Sequence, residues 1–229
     1  MEACIKFAHL RAERLIIGVP DIEEGRAAKV RIEQEGVREA DFCMIYELDV
    51  TSFPSIERFV NQVQNTTERV HAVVLYTDLQ QQIESEDGEV IRSSHGTEML
   101  LQVNVLSTAY LAILFLTLLL ETALAEDSPT QLEFVGCERY LESTNFSSLQ
   151  RGWEKSTLQY LNKYAGLTGD EHQYAATKFV QMGIMYVHCL AYRGLIISIY
   201  SSICFTVKSP PSSGSANCVY SDTMPDRLH

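Results

Sequence analysis

The chain has 229 residues, 46% of them hydrophobic, and a formal net charge of −12. That length and apolar content suit one sizeable folded domain and exclude a disordered chain. The acidic balance leaves nothing to neutralise phosphates, so the sequence predicts no nucleic-acid partner and no anionic membrane surface.

Short apolar runs alternate with helical stretches along the chain. "RLIIGV" (14–19) ends at Pro20, and "DIEEGRAAKVRIEQEG" follows with a stop at Gly36. "FCMIYELDV" (42–50) is the next run. "SFPSIERFVNQVQN" then places Ile56, Phe59, Val60 and Val63 at helical spacing. "VHAVVLY" (70–76) is rich in β-branched residues, and 80–97 read as a polar excursion. After it come a long helix at 99–124, "LEFVG" (132–136), a helix around 174–192 and "GLIISIY" (194–200). From Ser209 the chain is rich in Pro, Ser and Gly without an apolar period, and reads as a flexible terminus. This alternation predicts an α/β fold with one mainly parallel sheet of about five strands and helices on both faces. The expected division is one domain over 1–208 and a tail over 209–229.

The stretch from Met99 to Leu120 carries no charge and is long enough to span a membrane. Gln102, Asn104, Ser107, Thr108 and Thr117 dilute it and no basic cluster flanks it, which favours a buried helix of a folded domain. The first residues, "MEACIKFAHLRAER", are too charged for a secretion signal. Cys4, Cys43, Cys137, Cys189, Cys204 and Cys218 form no C-x-x-C pair. No metal site is therefore expected, and reduced thiols in a cytoplasmic protein are the default.

"HQYAATKFVQMG" (172–183) places Tyr174 and Lys178 four residues apart. The spacing alone is a weak signal, and a tyrosine packed beside a lysine stem is the plainer reading. On a helix the two share a face. An ammonium beside a phenol favours the phenolate and lowers the tyrosine pKa from its usual value of about 10. Such a tyrosine gives a proton to a carbonyl oxygen or takes one from a hydroxyl.

With "AERLIIGVPDIEEGRAAKVRIEQEG", "ELDVTSFPSIERFV", "LLQVNVLSTAYLAILFLTLLL", "YAATK" and "IISIYSSICFT", the chain resembles the short-chain dehydrogenase/reductase family. The likeness is to the branch with a long insertion before the active-site tyrosine, and it runs from Met1 to about Thr206. It implies a Rossmann-like doubly wound sheet, with Tyr174 and Lys178 as the catalytic pair. Asn104 stands at the active-site asparagine, which would hold a water linking the lysine to solvent. Cofactor contacts would come from Asp49, Val50, Asn104, Tyr174, Lys178 and Thr206. Two of these have plainer readings: Asn104 as a helix residue bonding a nearby backbone group, and Asp49 as a strand-ending turn residue.

The sequence departs from the family pattern at several places. Met1 falls just after the glycine-rich turn, so the first strand and its three glycines are not among these residues. Tyr76-Thr77-Asp78 stands where the family has asparagine-alanine-glycine, which puts a carboxylate near the cofactor. Cys137 is the nearest substitute for the catalytic serine, and a thiol is a poorer donor than a hydroxyl. Pro20 replaces the basic residue used for a 2′-phosphate, with Arg26 nearby, so NADP and NAD both stand as cofactors. Ser201-Ser202 replaces a proline-glycine pair, and the last strand and substrate lid are not recognisable.

The resemblance implies NAD(P)-dependent reduction of a carbonyl, or its reverse, on a small apolar metabolite, in secondary metabolism. The alternative is a relative without redox activity, acting as a binding protein or as a non-redox acid–base catalyst. Without the glycine turn, a dinucleotide is expected to bind weakly. A homo-oligomer through the 99–124 helix is expected, as in the family.

Overall fold

A computed structural model describes residues 1–80, 89–137, 157–164, 170–191, 195–200, 205–208 and 218–220. The chain divides into two units, Met1–Thr67 and Glu68–His229.

The first unit contains α1 (Glu2–His9), β1 (Leu15–Val19), α2 (Ile22–Glu35), β2 (Cys43–Glu47) and α3 (Phe53–Thr66). Asp21 starts α2: its carboxylate accepts from the backbone N–H of Glu23 at 2.7 Å and of Glu24 at 3.3 Å. This satisfies two donors that a helix end leaves open. The helix carries the chain back, so β1 and β2 pair in parallel, from Leu15 opposite Cys43 to Val19 opposite Glu47. Ile5, Ala8, Ile32, Phe42 and Cys43 form the core beneath. Gly25 lets α2 lie close to the strands; a Cβ there would meet Ile45 Cγ2 at 2.5 Å and Val19 Cγ2 at 2.7 Å.

The second unit contains β3 (Ala72–Leu75), α4 (Met99–Glu126), β4 (Thr130–Val135), α5 (Thr157–Tyr164), α6 (Asp170–Ala191), β5 (Leu195–Tyr200), β6 (Phe205–Lys208) and β7 (Cys218–Tyr220). Its sheet runs β3-β4-β5-β6-β7, with β3, β4 and β5 parallel and the last two strands antiparallel. β4 alternates, burying Thr130, Leu132 and Phe134. α4 is interrupted by a π-helical turn over Gln102–Ser107. Among the described residues α4 is the one helix long and apolar enough to cross a membrane, and 61% of its most apolar window is buried inside the protein.

The α/β class and parallel pairing agree with the sequence reading, and the described strands fall into two sheets where one was expected. β1 and β2 make one sheet and β3 to β7 another. A strand between β1 and β3, which the doubly wound order requires, is not among the described residues. The order of β2 beside β1, and of β3, β4 and β5 in succession, is as expected. The stretch 209–229, without apolar period, contributes strand β7. Thr206, expected in a loop, lies within β6 opposite Ser198 and Val219. Residues 81–88 of the polar excursion and Ser201-Ser202 lie outside the described residues.

Candidate active site

The site lies within the second unit, just beyond the carboxyl end of β3, where open parallel sheets bind their ligands. Tyr174 and Lys178 project from one face of α6, and both are buried, each 2% exposed. They converge on one atom. Tyr174 Oη donates to Asp78 Oδ1 at 2.9 Å, and Lys178 Nζ lies 2.8 Å from the same oxygen. Lys178 also donates to the Thr77 carbonyl at 3.3 Å, and its ammonium sits 5.6 Å from the centre of the Tyr174 ring. Gln80 Nε2 donates to the other Asp78 oxygen at 3.0 Å.

The loop that carries Asp78 is clamped from α4. Asn104 Oδ1 accepts from Leu79 N at 2.9 Å, and Asn104 Nδ2 donates to Leu79 O at 2.8 Å. The same Nδ2 donates to Thr177 Oγ1 at 3.2 Å, and that hydroxyl donates to the Tyr174 carbonyl at 2.7 Å. One step before Asp78, the Thr77 and Thr108 hydroxyls share a hydrogen bond. Asn104 sits in the π-helical turn, a local widening that often marks functional sites. Its amide bonds to Leu79 and Thr177 clamp the Asp78 loop.

A second clamp fixes α6. Glu98 is fully buried and caps α4, accepting from Leu100 N at 2.7 Å and Leu101 N at 3.0 Å. Its carboxylate also accepts from Gln173 Nε2 at 3.3 Å, beside Tyr174. Leu101, Val105, Leu161 and Ala176 pack α4, α5 and α6 together behind the pair.

The electrostatics reverse one expectation. Burial by itself raises the Asp78 carboxyl. Hydrogen bonds from Lys178 and Gln80, the Lys178 charge and the Tyr174 bond outweigh it and hold it below its ordinary value. Tyr174 is pushed far above the usual phenol range. Burial is the largest cause, followed by hydrogen bonding to Cys137 and Asp78 and by their charges. The sequence predicts a lowered pKa from Lys178. Asp78 answers that charge from the shared oxygen, and the phenol is left facing an acceptor.

Of the residues singled out from sequence, Tyr174, Lys178, Asn104 and Cys137 come together. Asp49 and Val50 belong to the first unit. Asp49 Oδ1 accepts from Thr51 N at 2.8 Å and Thr51 Oγ1 at 2.7 Å, and Asp49 N donates to Ser55 Oγ at 3.0 Å. These bonds are those of a turn residue. Arg26 pairs with Glu23 at 2.7 Å on the surface. Glu98 and Thr177 were not anticipated as part of the site. Glu98 directly precedes an apolar helix, the one cue available.

No family model matches the chain. It is 38% identical over 184 residues to the short-chain dehydrogenase/reductase phmF of Phaeosphaeria nodorum, covering 80% of this chain and 52% of that protein. It is 42% identical over 134 residues to the short-chain dehydrogenase/reductase ffsI of Aspergillus flavipes, covering 58% of this chain and 38% of that one. The chain thus spans about half the length, or less, of these curated relatives. Among solved structures it resembles the NADH-dependent reductase A1-R′ responsible for alginate metabolism, with a TM-score of 0.62 and 13% identity over 86% of this chain and 69% of that one. An alcohol dehydrogenase from Thermococcus sibiricus, complexed with 5-hydroxy-NADP, gives a TM-score of 0.59 and 16% identity over 86% and 68%. These likenesses show a Rossmann-like fold, and the sequence matches show that the chain belongs to the short-chain dehydrogenase/reductase family.

Proposed function

We propose that the chain carries the acid–base site of an NAD(P)-dependent oxidoreductase acting on a carbonyl or hydroxyl of a small apolar metabolite. The observation that carries this reading is the convergence of Tyr174 Oη and Lys178 Nζ on Asp78 Oδ1 at the end of β3. A phenol and an ammonium on one face give a proton and a fixed charge beside a reacting oxygen. The curated relatives support oxidoreduction, and their fungal sources are in keeping with secondary metabolism.

A bound nicotinamide cofactor would supply the hydride. The residues fit one end of it. Tyr174 and Lys178 offer donors, and Asp78 an acceptor, to ribose hydroxyls. The pyrophosphate end is less well served, because the sequence has no glycine-rich turn opening a helix to present backbone N–H groups. Asp78 adds negative charge. Asp49, Val50 and Thr206 remain proposed cofactor contacts on the family pattern, and Cys137 a proposed hydrogen-bonding partner in place of the serine. No basic side chain follows β1 at Pro20, and Arg26 is paired with Glu23, so NAD and NADP both fit.

Replacing Tyr174 by Phe removes the proton donor and should lower turnover at least about a hundredfold. Full turnover by Tyr174→Phe would sink the reading. A second reading, non-redox acid–base chemistry or binding at the same site, is favoured by the prior engagement of Lys178 with Asp78. Cofactor fluorescence separates the two: no response at millimolar NADH or NADPH from a folded chain supports the second. We also propose a homo-oligomer through α4, which leaves Ile113 and Leu124 exposed, and no nucleic-acid or membrane partner.

A further inference from the structure

We propose that Asp78 is a positioning residue of this site: by taking the Lys178 charge and the Tyr174 hydrogen bond on one oxygen, it holds the phenol as a proton donor and not as a base. The proposal deepens the preceding reading and rests on Tyr174 being the acid–base group.

Three features carry it. The two bonds to Oδ1, at 2.9 and 2.8 Å, are made by side chains that are themselves buried. The Asp78 loop cannot easily retreat, because Asn104 holds Leu79 by both backbone groups and Thr108 holds Thr77. The surroundings offer no competing cation among the described residues. The groups facing the phenol are Asp78 beyond β3, Lys178 on α6 and Cys137 after β4. Glu98, from α4, is engaged with Gln173 and two backbone N–H groups. A phenolate here would stand against a carboxylate with no free positive charge to offset it.

The chemical consequence concerns the resting state. Tyr174 rests as the phenol, the form that would give its proton to a carbonyl oxygen while a bound cofactor supplied hydride to the carbon. Asp78 opposes the phenolate both where it is left by reduction and where it must form for oxidation, so it sets the protonation state of the site and not the direction of the reaction.

The test needs no cofactor. The full chain is labelled with 3-fluorotyrosine, whose ring fluorine lowers the phenol pKa and brings its titration into a milder range. The fluorine signals of Tyr174 and of Tyr76, which is 73% exposed and serves as internal reference, are assigned by Tyr→Phe replacement. In the wild type, Tyr174 should ionise at least about one pH unit above Tyr76. In Asp78→Asn, which keeps a hydrogen-bond acceptor but removes the charge, its acid dissociation constant should rise at least about tenfold. A wild-type Tyr174 that ionises with or below Tyr76 overturns the proposal, and so does an unchanged midpoint in Asp78→Asn. If Asp78→Asn does not fold, Asp78→Ser, which also keeps an acceptor and removes the charge, is read in the same way, because burial alone already raises the wild-type midpoint. A Tyr174 midpoint that falls on removal of the Asp78 charge, in a chain that ignores nicotinamide, would support the role of Asp78 while rejecting the redox reading, so the two fail separately.

Discussion

Among the described residues, buried Lys178 has a single carboxylate for its charge, and this makes Asp78 the most sensitive residue of the site. Removing one partner of a buried pair leaves the other uncompensated. Asp78→Ala should therefore cost about 3–5 kcal/mol, read as a lowered urea midpoint. A change within about 0.5 kcal/mol, the size usual for surface substitutions, would contradict the pairing. Tyr174 adds a pH dependence. Its folded pKa is raised, so its contribution to stability is fully present below the unfolded value of about 10 and is lost as pH rises above it. Wild type should lose more stability than Tyr174→Phe on going from pH 9 to 11. Thiols follow similar logic. Burial, then the Glu33 charge, push Cys43 up to about 12. It should resist alkylation at pH 8, since the thiolate is the nucleophile. The Tyr174–Lys178 face was legible in the sequence because helix geometry fixes it within four residues. The direction of the tyrosine shift was not, because it depends on Asp78, 96 positions away.

The two helices that frame the site are held by polar side chains in otherwise apolar packing. Glu98 supplies acceptors to two backbone N–H groups and to Gln173. Glu98→Ala should cost about 2 kcal/mol or more, since an N-cap and a buried acceptor are lost together. A loss of only a few tenths would show that the latch between α4 and α6 is idle. Gln181 is the converse case: it is 2% exposed, and among the described residues both its side-chain polar atoms lack partners. Gln181→Met should leave the urea midpoint unchanged or raise it, because it removes a desolvated amide at similar volume. The strand positions were legible as apolar runs, to within a few residues of their ends. The π-helical turn was not, since Gln102, Asn104, Ser107 and Thr108 only dilute an apolar pattern that continues through them. β6 and β7 were missed because they are short and their antiparallel pairing is non-local, and β7 lies in a Pro- and Ser-rich stretch with no period of its own.

At the scale of the molecule, the described strands fall into two sheets, and Tyr174 and Lys178 both belong to Glu68–His229. The fold class was legible because alternation of strands and helices survives the division. The division itself was not, since apolar periodicity marks elements but not which ladders form between them. The exposed Ile113 and Leu124 on α4 predict self-association; light scattering should give at least a dimer, and a clean monomer at micromolar concentration would remove that expectation. Cofactor affinity is the property on which the whole reading turns. The residues fit the ribose end of a nicotinamide dinucleotide and offer no glycine turn to its pyrophosphate. The most direct measurement is a fluorescence titration with NADPH and NADH of two proteins: the 229-residue chain, and the same chain carrying a glycine-rich strand-turn from a curated relative ahead of Met1. The chain alone should respond weakly or not at all up to millimolar cofactor, and the fusion should saturate at micromolar concentrations. A folded fusion that ignores both cofactors would contradict the assignment of an oxidoreductase site to Tyr174, Lys178 and Asp78.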